Sequence, residues 1–532
     1  MGRFLNPGNE LFKESINSEI YVDKTDILEF LNRQINTRSK YICVSRPRRF
    51  GKSMTADMIA AYYDIGCDSQ ALFDGLKISS FESYKKHLNR HYVISLDIQW
   101  FRSNALCEGN INNILTDIQN SVIAELREHF DEYMDKKERS LPDVLSHIND
   151  RSGIKFIVVI DEWDCLFREE KLDTKLQDMY INLLRGLFKG NPADKFISLA
   201  YITGILPIKK YGVESALNNF REYTMINPGR MSKYIGFTEN EVKTLCNKYN
   251  MDFDTAQRWY DGYTLAKKTH IYNPQSVVEA MLEGEYCSYW TNTEAYSSLK
   301  QYIEMNFDGL KDDIVAMLAG EQRKVNTASF ENDMTSFKSK DDVLTLLIHL
   351  GYLGYDPDWS KAFVPNMEIR EQFASTIAAG GWAVVSDSLK KSDELLDAVL
   401  NGDSENVARL IDEAHTDNTS ILAYNNENSL SNVISIAFYS ARRYYTLIRE
   451  YPSGKGFADV VFVPYKNVDM PAVVVELKWD VSAGAAIKQI KDRDYVQSLK
   501  GYSGRIILVG INYDRNTKKH TCKIENFDYM EQ

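Results

Sequence analysis

The sequence predicts an α/β protein of several domains, and three observations lead to this expectation. The chain has 532 residues, which is more than one ordinary domain holds. In residues 1–235, short apolar stretches alternate with amphipathic ones, which is typical of βαβ units. Residues 429–511 show the order α-β-β-β-α-β. We therefore expect a parallel sheet in the N-terminal part, a helical middle region and a second α/β domain at the C-terminal end.

Composition excludes several classes of protein. Hydrophobic residues make up 44% and charged residues 26%, which does not fit a disordered, collagenous or coiled-coil chain. No apolar run reaches the ~18 residues of a membrane span, and the N-terminus lacks the apolar core of a signal peptide. The 7 cysteines are scattered without a CxxC pair, which indicates reduced thiols. We expect a cytoplasmic protein with no membrane partner.

The charge is acidic but uneven along the chain. The net charge is −12, which argues against non-specific coating of nucleic acid. Residues 441–532 nevertheless contain 15 Lys and Arg against 11 Asp and Glu. The C-terminal end is therefore the more suitable place to meet a polyanion.

Four strands are predicted in the N-terminal part. Each is rich in Val and Ile and nearly continuous in apolar residues, as strands of a parallel sheet covered on both faces are. They are Lys40–Ser45, Tyr92–Asp97, Phe156–Asp161 and Phe196–Thr203. Helical periodicity falls between them, as in Ile111–Phe130 and Asp173–Phe188.

The middle region is predicted to be mainly helical. Glu239–Tyr249, Phe253–Tyr260 and Asp341–Leu350 have helical periodicity. Leu344–Leu353 followed by Ala362–Pro365 suggests a small winged-helix unit. A further helix is expected at Ser386–Asn401. The predicted domains are residues 1–235, 236–392 and 393–532.

The C-terminal domain has a predicted element order that can be read directly. A helix is followed by three strands, a second helix and a last strand. These are Ser429–Arg443, Tyr444–Tyr451, Phe457–Val463, Pro471–Lys478, Gly484–Leu499 and Arg505–Ile511.

A phosphate-binding loop is predicted at KYICVSRPRRFGKS, residues 40–53. A strand leads into a loop that ends in Gly51-Lys52-Ser53, and a helix follows. Free amides at a helix N-terminus bind phosphate, Lys52 would contact the β- and γ-phosphates, and Ser53 would hold Mg²⁺. The loop residues expected to line the nucleotide are Arg46, Pro47, Arg48, Arg49 and Phe50. The full P-loop pattern has Gly where this chain has Arg46. The motif therefore predicts nucleotide binding more strongly than nucleotide hydrolysis.

A pair of acids completes the predicted nucleotide site. FIVVIDEWD, residues 156–164, places Asp161 and Glu162 at the carboxyl end of a buried strand, where ligands bind in parallel sheets. Asp161 would hold Mg²⁺ and Glu162 would polarise the attacking water. Thr203, at the end of the neighbouring strand, would sense the γ-phosphate.

These motifs resemble the AAA-ATPase-like domain of many bacterial and archaeal proteins. RPRRFGKS, the upstream YVDKT at Tyr21–Thr25, and later blocks at Tyr234–Val242 and Trp259–Val277 carry the resemblance, which covers about residues 5–280. The family belongs to a STAND-like branch of the P-loop ATPases, in which the Arg46 variant is expected. The resemblance implies ATP as the nucleotide.

A second constellation of charged residues lies near the C-terminus. Asp459 falls inside one predicted strand, and Glu476 and Lys478 stand two apart on the next, so both point to one face. Two carboxylates form a hard oxygen site suited to Mg²⁺ or Mn²⁺. Lys478 would orient a water or stabilise charge in the transition state.

The D…ExK set resembles the PD-(D/E)XK nuclease superfamily, whose domain commonly follows the ATPase-like domain. The resemblance covers about residues 395–532 and implies a restriction-endonuclease-like fold. Gln489 and Tyr495 match the superfamily's QxxxxxY element. The superfamily usually adds an acid from the first helix, for which Glu427 is the candidate and Glu450 the runner-up.

The leading functional hypothesis is an ATP-binding protein, and an expected ATPase, coupled to a metal-dependent nuclease. We expect nucleic acid as the substrate, DNA rather than RNA, with ATP and Mg²⁺ or Mn²⁺ as cofactors. One alternative is a STAND-like ATP-dependent sensor whose C-terminal domain does not catalyse; another is a regulatory ATPase of metabolism. Assembly into a homo-oligomer stays open.

Overall fold

The chain forms two compact units in our computed structural model. Unit 1 comprises Met1–Trp290 with Lys324–Glu368, and unit 2 comprises Thr291–Arg323 with Ile369–Gln532. The segment expected as one middle region is thus shared between them. The structure describes residues 2–528 apart from 136–137, 139, 209, 212–213, 266–268, 291–301, 303–306, 308, 333, 335–336, 380–382, 419–433, 435–436, 454–455, 466–467, 494, 496–498 and 500–504.

Unit 1 is built on a five-stranded parallel sheet. In spatial order its strands are Tyr92–Asp97, Phe156–Asp161, Ile197–Gly204, Tyr41–Ser45 and Arg221–Tyr223. All neighbouring strands pair in parallel. The central strands are buried on both faces because helices cover the sheet, as their continuous apolar sequences predict. The four predicted strands are confirmed, and the short edge strand is an addition.

Helices surround this sheet and continue beyond it in unit 1. Their bounds are Glu10–Ile16, Asp26–Asn32, Lys52–Tyr63, Gln70–Phe73, Tyr84–His87, Ile98–Cys107, Ile114–Phe130, Leu141–Ser152, Cys165–Glu169, Thr174–Phe188, Asn191–Phe196, Glu239–Tyr249, Phe253–Tyr260, Pro274–Glu283 and Lys340–Leu350. The predicted helix at 111–130 begins as a 3-10 turn, Ile111–Asn113, and becomes α-helical at Ile114. Three more 3-10 turns are Lys77–Ser80, Asp131–Tyr133 and Gly229–Met231.

Two helices of the predicted middle region show why the chain folds locally as it does. Thr238 and Glu241 form a capping box that starts Glu239–Tyr249. Ser339 and Asp342 do the same for Lys340–Leu350, which Gly351 ends with a φ of +87°.

Short strands complete unit 1. Strand Thr269–Tyr272 pairs antiparallel with Phe237–Thr238 and Tyr263–Leu265. The hairpin Gly354–Asp356 with Lys361–Phe363 follows the last helix, as a winged-helix unit would require. A two-residue pair joins Lys210–Tyr211 and Glu214–Ser215.

Unit 2 contains a five-stranded mixed sheet. In spatial and chain order its strands are Tyr445–Ser453, Gly456–Pro464, Ala472–Trp479, Arg505–Asp514 and Lys519–Asp528. Only the third and fourth pair in parallel, joined by the crossover helix Ala483–Asp492. The predicted β-β-β-α-β order is confirmed, with one more antiparallel strand after it. Seven of the 15 residues of the predicted first helix fall outside the described residues, and its described end is a 3-10 turn, Ser440–Arg443.

Helices cover both faces of this sheet. Ile487 and Ile490 of the crossover helix pack with Val461, Val474 and Leu508 on one face. On the other face, helices Ala383–Leu400 and Ser404–Asn418 pack against the alternate residues of the same strands. This alternation follows from the period of two in a strand. The remaining elements are helices Leu310–Leu318 and Met367–Ala379 and the strand Arg323–Lys324. Across the described residues, we find no helix with the length and hydropathy of a membrane span.

Candidate functional site

The phosphate loop, residues 46–53, has the shape that the sequence predicts. It joins strand Tyr41–Ser45 to helix Lys52–Tyr63. Gly51 has a φ of +85°, and a Cβ there would meet no atom within 4 Å, so the space beside the loop is open. Arg49 is also left-handed, with a φ of +68°. Left-handed residues before a helix N-terminus are typical of concave amide sites for anions.

Lys52 and Ser53 meet the two predicted acids. Lys52 is buried; its Nζ donates to the carbonyl of Pro47 at 3.1 Å and lies 3.9 Å from a Glu162 oxygen. Burial lowers the pKa of Lys52, and the Glu162 carboxylate opposes this change. The Ser53 hydroxyl hydrogen-bonds Asp161. The structure therefore brings these four predicted residues together at one end of the sheet.

Three aspartates meet at the carboxyl edge of the sheet. Burial, with the nearby Glu162 carboxylate, raises the pKa of Asp161 to about 6. Asp97 is the register partner of Asp161 on the neighbouring strand. Burial and these two aspartates raise the pKa of Asp57, on the helix after the loop, to about 7. Carboxylates that resist ionisation next to a lysine and a serine form a site suited to a divalent cation and phosphate.

Sequence reasoning missed Asp57 and Asp97. Asp97 ends YVISLD as Asp161 ends FIVVID, so the position after a buried strand could have identified it. Asp57 gives no such signal, because its place depends on how the helix lies over the sheet.

Glu162 forms an ion pair with Arg168, an arginine that sequence reasoning did not select. The backbone of Glu162 is in the left-handed region, with a φ of +50°. Its carboxylate contacts the guanidinium of Arg168, whose Nε donates to Asp164 at 3.0 Å. Asp164 is fully buried and also accepts the amides of Ile205 and Leu206. For Glu162 to act on a water, as the sequence predicts, its ion pair with Arg168 would have to open.

Other predicted loop residues have partners within unit 1. Arg46 is fully buried and donates to the carbonyls of Ser45, Tyr223 and Met231. Thr203 donates to the carbonyl of Val44 at 3.0 Å. The side chains of Arg46 and Thr203 therefore hydrogen-bond to backbone carbonyls of the protein itself. Their contacts with a nucleotide stay predictions.

The rest of the loop contacts the later elements of unit 1. Arg49 donates to the Tyr289 carbonyl at 2.8 Å, and the Phe50 ring packs edge-on to Tyr263 at 5.5 Å. Arg48 lies 3.6 Å from Glu169. A Cβ on Gly351 would lie 2.8 Å from Pro47, so this glycine allows the close approach. A change in the conformation of the loop would therefore alter its contacts with these later residues of unit 1.

The second site assembles across neighbouring strands of unit 2. The register that pairs Val460 with Val475 places Asp459 across from Glu476. The Leu477 amide donates to Asp459 Oδ2 at 2.7 Å. Lys478 Nζ donates to Glu476 Oε1 at 3.0 Å, and the Gln489 amide contacts the same oxygen. Asp459, Glu476, Lys478 and Gln489 thus form one cluster, as the sequence predicts.

Glu476 is the residue of this cluster that most needs a further partner. It is 1% exposed, and its Oε2 is buried with no hydrogen-bond partner among the described residues. Burial and the neighbouring Asp459 raise the pKa of Glu476 to about 7. A buried carboxylate oxygen without a hydrogen bond is costly, and two facing carboxylates match the ligands that Mg²⁺ and Mn²⁺ prefer. The residues present therefore fit a divalent cation held by Asp459 and Glu476.

A glycine places the crossover helix close to this cluster. Gly510 is the register partner of Glu476 on the next strand. A Cβ at Gly510 would lie 2.3 Å from the carbonyl oxygen of Ala483, the first residue of the helix. Because this contact requires a glycine, Gly510 lets the helix approach and bring Gln489 to Glu476.

The upstream acid is the open part of the site. Glu427 lies outside the described residues. The register that pairs Arg449 with Val460 and Tyr451 with Ala458 places Glu450 across from Asp459. Glu450 is exposed and has a φ of +49°, an unusual conformation within a strand. It is the described carboxylate that continues the row from Glu476 through Asp459.

Tyr495 supports the strand that carries Asp459. It is fully buried, and its hydroxyl donates to the carbonyl of Phe457 at 2.7 Å. The exposed Arg493 donates to the same hydroxyl at 3.2 Å. The residue matching the QxxxxxY element therefore fixes the backbone two residues before Asp459.

We expect Tyr495→Phe to lower the free energy of unfolding by about 1 kcal/mol, because it removes the hydrogen bond from the buried Tyr495 hydroxyl to the Phe457 carbonyl. Urea unfolding would measure this change. Tyr444→Phe is the matched control, since Tyr444 is 37% exposed at the start of the same sheet. Equal, negligible effects of both variants would contradict the supporting role of Tyr495.

Comparison with protein-family models finds two matches. Residues 8–214 match a model described as predicted AAA-ATPase, and residues 425–523 match the PD-(D/E)XK nuclease superfamily. The two matched segments include the phosphate loop and the Asp459–Glu476 cluster. The chain therefore combines an AAA-ATPase-like segment with a nuclease-superfamily segment, in the predicted order.

Two individual proteins are similar over much of the chain. An uncharacterised protein in the vnfD 5′ region of Azotobacter chroococcum mcd 1 is 22% identical over 522 residues, which cover 94% of this chain and 93% of that protein. The structure of the Aeropyrum pernix ORC2 protein in ADPNP–ADP complexes is 11% identical, with a TM-score of 0.29, over 70% of this chain and 98% of that one.

Proposed function

We propose that this fusion of an AAA-ATPase-like segment with a PD-(D/E)XK segment is an ATPase coupled to a metal-dependent nuclease. The observation that carries the nuclease assignment is Glu476, a buried carboxylate that faces Asp459 and has one oxygen without a hydrogen-bond partner in the part of the chain that the structure describes. The substrate is nucleic acid, DNA rather than RNA. The cofactors are ATP and Mg²⁺ or Mn²⁺.

At the C-terminal site, the protein's own side chains prepare the cleavage. Asp459 and Glu476 would hold the cation, which supplies a more acidic water and neutralises charge on the scissile phosphate. Lys478 would leave Glu476 Oε1, which it contacts at 3.0 Å, to orient the attacking water or to stabilise the charge that develops on the phosphate. Gln489 keeps the Glu476 carboxylate in place through its amide.

At the N-terminal site, the phosphate loop would bind the ATP phosphates. The helix amides and Lys52 face negative charge, and Ser53 with Asp161 would hold the accompanying Mg²⁺. Glu162 would act on the attacking water after release from Arg168. ATP binding would reach the rest of unit 1 through the contacts of Arg49 with Tyr289 and of Phe50 with Tyr263.

A cleavage assay tests this proposal. Plasmid DNA, linear DNA and RNA are incubated with Mg²⁺ or Mn²⁺, with and without ATP. We expect Asp459→Asn to abolish cleavage, since it removes a metal-binding charge while keeping an oxygen for the Leu477 amide. Asp469→Asn is the matched control because Asp469 is fully exposed in a loop before the next strand.

Equal cleavage by wild type and Asp459→Asn would contradict the nuclease assignment. Bound ATP without cleavage of any substrate would instead favour the sensor whose C-terminal domain does not catalyse. A change in wild-type cleavage on adding ATP at constant free Mg²⁺, absent in Lys52→Met, would indicate that the two sites are coupled.

A further inference from the structure

Two arginines of unit 2 meet at the end of one helix. The guanidinium of Arg370 contacts the carbonyl of Leu318, the last residue of helix Leu310–Leu318. The guanidinium of Arg442 contacts the next carbonyl, that of Ala319. A Cβ on Gly320 would lie 2.9 Å from Arg442 Nη2, so Arg442 packs directly against the chain as it leaves the helix.

Among the described residues, these two guanidiniums have no anionic partner. Each offers five N–H donors, and the described hydrogen bond of each goes to a carbonyl. Arg442 Nε is buried and has no hydrogen-bond partner within the described ranges. Burial and the nearby Arg370 lower the pKa of Arg442 to about 9, and burial also lowers that of Arg370.

Capping of the helix does not balance this charge. The carboxyl end of a helix carries about half a negative unit charge, whereas the two guanidiniums carry two positive ones. About one and a half positive charges thus remain in a partly buried place. Buried charge without compensation is costly. A single bound anion would remove most of the imbalance.

The two neighbouring arginines already form ion pairs, which distinguishes them from Arg370 and Arg442. Arg443 is 3.8 Å from Glu371, and Arg449 is 3.2 Å from Glu321. The positive charge left for a ligand is therefore that of Arg370 and Arg442.

The arginine pair is connected to the nuclease cluster by one strand. Tyr445–Ser453 begins three residues after Arg442 and reaches Glu450, across from Asp459. Five residues of strand separate Tyr445 from Glu450, or about 17 Å. A nucleic-acid strand lying along this edge could place one phosphate at each end.

We propose that Arg370 and Arg442 form a phosphate site that binds the backbone of the nucleic-acid strand held for cleavage. The inference rests on the proposed nuclease function and adds a substrate contact to it. Free phosphate and a phosphodiester backbone would both be bound through their phosphate oxygens. Two experiments therefore distinguish these two ligands.

The first experiment measures thermal unfolding of the full chain in inorganic phosphate and in chloride at matched ionic strength. We expect phosphate to raise the melting temperature of wild type and of Arg443→Gln, because a ligand that binds only the folded state stabilises it. Arg442→Gln should show a smaller phosphate-dependent rise than Arg443→Gln, since phosphate bound by the loop at residues 46–53 stabilises both variants equally. If phosphate does not stabilise wild type, or stabilises Arg442→Gln equally, the arginines only cap the helix and the proposal fails.

The second experiment identifies the source of the phosphate. Fluorescence anisotropy follows a labelled single-stranded DNA oligonucleotide on the Asp459→Asn protein in EDTA, where cleavage plays no part. We expect Arg442→Gln to weaken binding about 10-fold or more and to reduce the slope of log affinity against log salt by about 0.7, whereas Arg443→Gln retains both. Phosphate-dependent stabilisation without this loss would overturn the backbone assignment. Because no cleavage is needed, failure here is distinct from failure of the nuclease proposal.

Discussion

Glu476→Gln is expected to abolish cleavage and to stabilise the metal-free protein at pH 8 by up to about 3 kcal/mol. Cleavage is lost because the variant cannot supply its charge to the cation. Stability rises because burial and Asp459 oppose ionisation of Glu476, raising its pKa from 4.5 to about 7. Each pKa unit corresponds to about 1.4 kcal/mol.

The sign of the pH dependence follows from proton binding. Between pH 4.5 and about 7 the folded chain keeps the Glu476 proton, while the unfolded chain releases it. The stabilisation from this group is fully present below pH 4.5 and is lost as pH rises through about 7. Glutamine is neutral throughout, so the gain from Glu476→Gln should grow over the same interval.

Urea unfolding in EDTA at pH 5.5 and pH 8 measures this difference. Glu525→Gln is the matched control, because Glu525 lies on the last strand of the same sheet and is paired with Lys491. A stability difference between wild type and Glu476→Gln that does not change with pH would contradict the buried, protonated carboxyl. Added Mg²⁺ should stabilise wild type at pH 8 and leave Glu476→Gln unchanged.

The second large effect concerns ATP. We expect Lys52→Met to lower ATP affinity by about 100-fold, since it removes a charged donor from the phosphate loop. The variant should unfold at nearly the same urea concentration as wild type. Lys52 is 4% exposed, and the cost of burying its charge disappears together with its contacts to Pro47 and Glu162. Calorimetric titration with ATP measures the affinity.

Lys40→Met separates loss of the phosphate contact from general damage. Lys40 is also buried and precedes the same strand, but at the opposite end of the sheet, where it donates to the carbonyls of Asp194 and Ile197. We expect it to reduce stability while ATP affinity is retained. Similar ATP affinity for both variants would contradict the assignment of Lys52.

Strands were the most predictable part of this protein. The apolar runs that end at Ser45 and Asp161 are typical of buried parallel strands, and the carboxyl end of such a strand is where ligands bind in these sheets. The Asp459–Glu476 cluster was predictable for a related reason, because the period of two and the short connection between the strands fix which residues face each other. The last strand, Lys519–Asp528, was missed because its sequence lacks a sustained apolar alternation.

Contacts between distant elements could not be predicted in this way. Arg370 and Arg442 meet through the end of a helix that neither belongs to. Sequence spacing does not predict such side-chain contacts, since they depend on how the folded helices and strands pack against one another.

The bond between the Leu477 amide and Asp459 also bears on folding fidelity. A slip of one residue between strands Gly456–Pro464 and Ala472–Trp479 would turn Asp459 to the opposite face from Glu476 and separate the two carboxylates. A misregistered chain would then have secondary structure but no cation site. If unit 2 binds a divalent cation as we propose, that binding would report correct strand pairing, which spectroscopy of the backbone alone would not detect.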